Sequence, residues 1–496
     1  MKEDAFAQVL IASNRGPVTF APGEDGELVP TRGAGGLVTA LTGSLQATGG
    51  LWVAAAMSDG DRAVSDQHGG GRIKVTTDDT TYELRFLSIA PDVYDGYYTH
   101  VSNRILWFVH HYLWDIVRMP AWGAAARKAW DQYVEVNKAF ATALAEEAVT
   151  EGGKSAFLVQ DYHLSLVPRF LRELVPDALI AHFSHTPIAG PTYTRILPEW
   201  MREGLLRGLL GADVLGFHSE AWAENFLMSS RSIPGARVDL ARSRVHLDGR
   251  EILARVHPIS VDAPSMREAS GSPAVLKRRQ KLMGWKGDSK VILRVDRMEL
   301  TKNILRGFLA YELFLQRNPQ WKKKVKFLAL LSPSREAIPE YKTYTKECLA
   351  EAERINRKLG KADWTPIEIK MRDDYLGAVA AYGVYDVLMV NPVFDGMNLV
   401  AMEGPVVNRR GGVLILSRNA GAYFRLGRYA LPVNPFDIGD TADALETALT
   451  MPEDERTRRA RGLSRLVLAN PPARWVGGQL ADLERVRSRR AWFQRR

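Results

Sequence analysis

Two rhythms of hydrophobic and polar positions alternate along this chain. Short continuous apolar runs at residues 7–13, 155–160, 178–184 and 212–217 are separated by stretches whose apolar positions return every three to four residues. A continuous run bounded by turn residues is the pattern of a parallel strand buried on both faces, and the 3.6 rhythm is that of the helices covering it. Residues 255–262 are expected to form the last strand of this series. Residues 263–289 then turn polar and basic, with Pro264, Gly271, Pro273 and Gly287, as a domain boundary does. A second series follows, with strands expected at 290–297, 325–331, 367–370, 386–390, 412–417 and 430–433. The pattern predicts an α/β protein of two alternating strand–helix domains, residues 1–262 and 263–471, with parallel sheets facing a central cleft.

Several loops leaving these strands carry candidate chemistry. The run 385–391 leads into Pro392-Val-Phe-Asp-Gly and then into good helix formers through Glu403. The first amides of such a helix have no helical partner and, with the dipole, form an anion site. Gly396 lets backbone approach a ligand, and Glu403 could accept two hydrogen bonds from a diol. Diphosphate at the helix start and ribose at the carboxylate would make a nucleotide-sugar site; the alternative is a capped helix with Glu403 in solvent. Asp161 and His185 fall at carboxyl ends of expected strands, where open α/β sheets keep ligands, although either could be a structural hydrogen-bonder. The cluster Arg32-Gly-Ala-Gly-Gly36 could lay amides on a phosphate or be a turn. The aromatic stretch 94–112 suits a core better than a stacking surface.

Composition narrows the class. The 496 residues are 46% hydrophobic and 25% charged, as in soluble globular proteins of two or three domains. Cys348 is the single cysteine, so no intrachain disulfide forms and a reducing cytoplasm is the expected location. The N-terminus has acids before its short apolar run, unlike a signal peptide, and no run reaches membrane-spanning length. The net charge is +9, and its basic residues are spread along the chain, which suits anionic small substrates better than nucleic acid. The dense cluster 485–496 reads as a solvated terminal helix. Histidine and cysteine spacing predicts no metal site.

The motifs together resemble a known family. Ser13-Asn-Arg15, Gly35-Gly36-Leu, Tyr97-Tyr98, Ser102-Asn103, Leu106-Trp107, Asp161-Tyr-His-Leu, Arg297 through Lys302, Trp364-Thr-Pro, Asp395-Gly-Met-Asn-Leu-Val-Ala and Ser417-Arg-Asn-Ala-Gly are similar, in order, to the trehalose-6-phosphate synthases, whose GT-B fold has two Rossmann-like domains. The resemblance implies that a C-terminal helix, 472–496, returns to the first domain. It implies catalytic roles for Asp161, His185, Arg297 and Lys302. Arg297 and Lys302 would bind the donor diphosphate with the amides of Gly36 and of Met397, Asn398 and Leu399. Asp395 and Gly396 would meet the donor with His185, and Glu403 would take the ribose. Arg15, Tyr98, Trp107 and Arg335 would cradle the acceptor phosphate. No cofactor is implied beyond a GDP-linked donor substrate, the partners are small molecules, and a homodimer is compatible.

Departures from the family pattern gather around the transferred ring. Met298-Glu-Leu-Thr-Lys-Asn-Ile-Leu305 replaces Leu-Asp-Tyr-Thr-Lys-Gly-Ile-Pro, Thr186-Pro-Ile-Ala189 replaces Ile-Pro-Phe-Pro, and Trp52-Val-Ala-Ala-Ala-Met57 lacks a second tryptophan. Phe394 stands where an arginine is usual. This pattern is similar to the family's pseudo-glycosyltransferase branch. That likeness implies GDP-valienol as donor and validamine 7-phosphate as acceptor, a nucleotide-activated cyclitol and an aminocyclitol phosphate joined by a C–N bond. The alternative is transfer of glucose from GDP- or UDP-glucose to glucose 6-phosphate.

Overall fold

The computed structural model describes residues 6–23, 25–33, 38, 41, 50–77, 80–148 and 155–494. The chain divides into two compact units, residues 1–259 with 472–496, and residues 260–471. Both units are α/β.

The first unit carries strands β1 (Gln8–Ser13), β2 (Val18–Pro22), β3 (Leu28–Arg32), β4 (Leu51–Ala55), β5 (Ile73–Thr77), β6 (Thr80–Leu87), β7 (Ser155–Gln160), β8 (Leu179–Phe183), β9 (Val214–Phe217), β10 (Arg237–Asp239), β11 (Arg244–Leu247) and β12 (Arg250–Val256). Ten of them form one sheet in the order β10-β11-β12-β9-β8-β7-β1-β4-β6-β5. Its centre, from β12 to β6, is parallel, and hairpins β5–β6 and β10–β11–β12 close the edges antiparallel. Every residue of β1, β4, β7 and β8 is buried, which explains their unbroken apolar runs. The strand expected at 255–262 is instead β12, Arg250–Val256, buried only over residues 252–254 and paired antiparallel with the β11 hairpin arm. The order reverses between β7 and β1, a topological switch point where the carboxyl ends open a crevice.

In the second unit, strands β13 (Lys290–Arg297), β14 (Val325–Ser332), β15 (Ile367–Met371), β16 (Val387–Val390), β17 (Val413–Ser417) and β18 (Leu431–Val433) form an all-parallel sheet ordered β15-β14-β13-β16-β17-β18. In the unit's own count this is the 3-2-1-4-5-6 order of the dinucleotide-binding fold, with its switch point between β13 and β16. The polar stretch read as a boundary is folded: helices Ala263–Gly271 and Pro273–Lys286 are capped by Asp262 and Ser272, which accept from Ser265 and Val275 amides. Their short buried stripes pack on helices Tyr375–Tyr382 and Val400–Val407, and their charged remainder faces water, so the sequence looked like linker.

The terminal helix, Pro472–Gln494, packs on β8 and β9 of the first unit. Trp475, Val476 and Leu483 are buried there. It is therefore not simply solvated, and Arg490 pairs with the fully buried Asp213. No helix among the described residues is long and apolar enough to cross a membrane.

Candidate active site

The first unit's candidate residues gather at its switch point. β7 ends in Asp161, whose backbone has φ 71° and ψ 170°, a region almost reserved for glycine that costs a side-chain residue about 1–3 kcal/mol. The fold holds it there: the Asp161 amide donates to Phe183 O at 2.7 Å, and His182 Nε2 lies 3.1 Å from Asp161 O. The carboxylate accepts from the His185 amide at 3.2 Å and faces His163 Nδ1 at 3.7 Å. Burial pushes this carboxyl up, but the His163 hydrogen bond, the His185 and His163 charges and the Tyr162 amide together hold it well below the usual range. His185 Nε2 is 3.1 Å from Gln160 Oε1, and its ring meets those of Phe183, His218 and Trp475. Burial lowers the His185 pKa against the pull of Asp161.

Tyr98 lies on a π-helix, Gly96–Leu106, a rare element that recurs at functional sites. Its ring is sandwiched between Tyr94 at 5.3 Å and His163 at 5.7 Å, each about 15° from parallel. Tyr94 is also the partner of Asn14, whose Nδ2 lies 3.2 Å from the tyrosine oxygen. Arg15 follows at the end of β1 and is exposed. Ser13 Oγ donates to Arg15 O at 2.6 Å and accepts from Trp52 Nε1 at 2.7 Å, which fixes the chain as it leaves the sheet. Trp107 is buried, stacks on His111 at 4.0 Å and tilts against Tyr162 at 5.9 Å. Arg15, Tyr98, Trp107, Asp161 and His185 thus share one unit and the end of one sheet. Gly36 lies outside the described residues.

The second unit's candidates stand at the ends of β13 and β16, on either side of its switch point. Lys302 Nζ lies 2.6 Å from Asp395 Oδ2. Burial works against the ammonium, yet Asp395 first, then Asp296 and Glu299, keep its pKa raised. Arg297 Nη1 lies 3.0 Å and Arg335 Nη1 3.3 Å from the same Glu299 oxygen. Glu299 is fully buried; burial alone would raise its pKa, but these guanidiniums, Lys302 and the Ser334 hydroxyl lower it to about 2. Arg297 remains 51% exposed while Arg335 is 13% exposed, so Arg297 presents its cation to solvent from a fixed root. Arg335 belongs to this cluster, joined to Arg297 through Glu299, whereas Arg15, Tyr98 and Trp107 belong to the other unit.

The motif loop is clamped by the segment after β17. Asp395 donates its amide to Asn419 O at 3.2 Å, Gly421 to Asp395 O at 3.1 Å, and Ala422 to Met397 O at 2.8 Å. Gly396 and Gly421 pass so closely that a Cβ on Gly421 would sit 1.9 Å from Gly396 O. Asn398 takes φ 74° and its Oδ1 accepts from the Ala401 amide at 3.3 Å, capping the helix. The helix's own ladder starts with Met402 and Glu403 bonding to Leu399 O, so the amides of Met397 to Leu399 come ahead of it. Glu403 accepts from Tyr382 OH at 2.7 Å, and burial raises its pKa. It is partly buried, and among the described residues it makes no ion pair.

Sequence reasoning did not single out Glu299, Asp296, Arg294, Tyr382, Asn14 or His163. Glu299 was noticed only as a departure, although an acid between Arg297 and Lys302 is a plain electrostatic signal. Arg294 is fully buried, bonded to Asp296 at 2.9 Å and to Lys302 O at 2.8 Å. It was hidden inside an apolar strand. Among the described residues there is no cluster of three or more histidine, cysteine or acidic side chains able to hold a metal.

Two Rossmann-like units, each with charged side chains at the carboxyl edge of its switch point, place the protein among the nucleotide-binding type of α/β folds. More particularly, the chain belongs to glycosyltransferase family 20, which it matches over residues 7–485. It is 33% identical to a trehalose-6-phosphate synthase of Mycobacterium marinum over 94% of this chain and 92% of that protein. It is 32% identical to a bifunctional trehalose-6-phosphate synthase/phosphatase of Thermoproteus tenax, of whose length the chain spans 62%. Solved structures agree: an Escherichia coli trehalose-6-phosphate protein bound with UDP-2-fluoro glucose superposes with a TM-score of 0.83 at 29% identity, over 96% of this chain and 99% of that one. The α,α-trehalose 6-phosphate synthase of Burkholderia multivorans superposes with a TM-score of 0.84 at 29% identity, over 99% and 98%.

Proposed function

We propose that this chain is a retaining transferase that moves a hexose ring from a nucleoside diphosphate to a sugar 6-phosphate, giving a trehalose-6-phosphate-type product. The carrying observation is the Arg297–Glu299–Arg335 cluster beside the Lys302–Asp395 pair, at the start of the 395–403 loop and helix. On this reading the second unit holds the donor. Arg297, Lys302 and the Met397–Leu399 amides take the diphosphate, Asp395 and Gly396 the transferred ring, and Glu403 the ribose. The first unit takes the acceptor, with Arg15, Tyr98 and Trp107 at its phosphate, and Asp161 and His185 beside the reacting groups.

The chemistry follows from where charge develops. As the bond to the anomeric carbon breaks, negative charge builds on the leaving diphosphate, and preorganised cations stabilise it more than the ground state. The acceptor hydroxyl attacks from the same face, and its proton passes to a phosphate oxygen of the departing group, so configuration is retained without a protein nucleophile. Clamping the acceptor phosphate supplies alignment.

A second reading, the one expected from the sequence, is cyclitol transfer from GDP-valienol to validamine 7-phosphate to give validoxylamine A 7′-phosphate. Phe394 in place of arginine, and the changed segments 186–189 and 298–305, favour it. An alkene would then carry the developing positive charge in place of a ring oxygen. The sugar reading is preferred because the trehalose-6-phosphate synthases named above match nearly the whole chain. Mass spectrometry of reactions crossing GDP- and UDP-linked glucose and valienol with glucose 6-phosphate and validamine 7-phosphate tests it. The expected product is a disaccharide phosphate; its absence alongside a secondary amine product would overturn the sugar reading.

A further inference from the structure

The basic tail has a use in the structure that neither reading absorbs. Its last turns face the β11–β12 hairpin across a groove of about 510 Å³ lined by Arg244, Arg250, Arg255, Arg485, Arg489 and Arg490, with Glu251 as the one lining carboxylate. That volume is within the range of small-molecule sites, roughly 300–1,000 Å³. All of these residues belong to the first unit.

The acids at this groove are already shared. Glu251 is bound by Arg244 at 2.9 Å and by Arg489 at 2.5 Å. Asp482 is bound by Arg485 at 2.5 Å, lies 3.7 Å from Arg255 and also meets His257 at 2.7 Å. Asp213 serves both Arg172, at 2.8 Å, and Arg490. Arg250 is held on the carbonyl oxygens of Leu210, Gly211 and Ala212. Among the described residues the six lining guanidiniums therefore meet four carboxylates, Glu251, Asp482, Asp213 and Asp239, the last 3.8 Å from Arg244, and the groove keeps a surplus of positive charge. Burial and then the neighbouring Arg172 push Arg250 below its usual pKa, as crowded cations do to each other.

We propose that this groove is a binding site for a small anion carrying two or more phosphate charges. A single carboxylate would leave part of the surplus unmatched. Planar guanidinium forks suit the paired oxygens of phosphate groups, with which they form two parallel hydrogen bonds. The walls come from the hairpin and the terminal helix, so the anion would tie the end of the chain to the sheet edge.

Isothermal titration of the full-length protein with inorganic tripolyphosphate tests this. Because Arg297 and Lys302 could also take the anion, the reference protein carries Arg297→Ala and Lys302→Ala, and it should still bind one equivalent. Adding Arg485→Ala and Arg489→Ala, whose side chains are 73% and 53% exposed, should weaken that binding about tenfold or more while circular dichroism stays unchanged. Hydrogen exchange on the unmutated protein gives an independent reading, with protection on tripolyphosphate addition expected in 244–256 and 482–490. No binding by the reference protein, equal affinity in the tail variant, or unchanged exchange in both segments would each overturn the proposal. So would tail-dependent binding of a DNA duplex with none of tripolyphosphate.

Discussion

Lys302 Nζ and Asp395 Oδ2 stand 2.6 Å apart, although 93 residues separate them in the chain. Each follows one of the two strands that flank the second unit's switch point. The ammonium is held charged and aimed by a carboxylate that also accepts from Asn398 Nδ2 at 3.1 Å. Removing the cation therefore removes a preorganised charge and not only a contact. Lys302→Ala should lower turnover roughly 10²–10³-fold, the usual cost of deleting a group that stabilises developing charge. Arg297→Ala should do the same, with some loss of stability as well, since it removes the strongest of the charges that hold the buried Glu299 ionised. Steady-state kinetics check both, and near-normal turnover would move the leaving-group site elsewhere.

Glu299 is the anchor of Arg297 and Arg335. Its carboxyl is lowered from 4.5 to about 2, so the unfolded chain takes up the proton first as pH falls. Its stabilisation is complete above about pH 4.5 and is lost as pH drops towards 2, and the shift corresponds to roughly 3 kcal/mol. Glu299→Gln should cost about that much near neutral pH and should shrink the acid-side loss of stability. Urea unfolding at pH 7 and pH 3 measures it; equal losses at both would refute the linkage.

Much of this arrangement was legible in the sequence because buried parallel strands are written as unbroken apolar runs. β7, β13 and β16 could be placed within a residue or two, and with them Asp161, Arg297 and Asp395 at their ends. Edge strands were not legible. β5 reads Ile-Lys-Val-Thr-Thr, alternating buried and exposed, and the antiparallel hairpin β10–β11–β12 carries six charged residues in its short arms. Their pairing is set by partners and turns, not by hydrophobicity. Glu299 was passed over for a related reason: the acid is plain between Arg297 and Lys302, but its burial and its second guanidinium show only when Arg335 is brought to it.

Gly421 explains why the Ser417-Arg-Asn-Ala-Gly motif matters although it bears no reactive group. A methyl group there would meet Gly396 O at 1.9 Å, and both are backbone, so the motif loop must move. Gly421→Ala should weaken GDP or UDP binding about tenfold or more, with a smaller effect on melting temperature. Calorimetry with the free nucleotide decides, and unchanged affinity would show that the loop is not part of the nucleotide site.

Glu403 accepts a hydrogen bond from Tyr382 at 2.7 Å, and burial raises its pKa. A carboxylate so placed is oriented for a second donor, such as a ribose hydroxyl. Glu403→Ala should weaken free nucleotide binding by roughly 1.5–3 kcal/mol, the worth of hydrogen bonds to a charged group. Tyr382→Phe should cost less, because it loosens the carboxylate without removing it. The same affinity in Glu403→Ala as in the parent would sink the ribose assignment.

The histidines around Asp161 make a prediction about acid. Burial lowers His182 from 6.5 to about 4, the Asp161 charge and backbone opposing it only in part. His110 is lowered to about 4 in the same way, and His218 is pushed well down by burial and by His185. Between pH 6.5 and 4 the unfolded chain therefore binds protons that these buried rings refuse. Their contribution is fully present above about pH 6.5 and disappears as pH falls through that window. His182→Gln keeps a donor for Asp161 O but cannot take the proton. It should be less stable at neutral pH, and its stability should fall less steeply from pH 6.5 to 4, by up to one proton. Denaturant titrations at several pH values measure the slope, and a slope identical to the parent's would mean that His182 titrates as freely in the folded protein as in the unfolded chain.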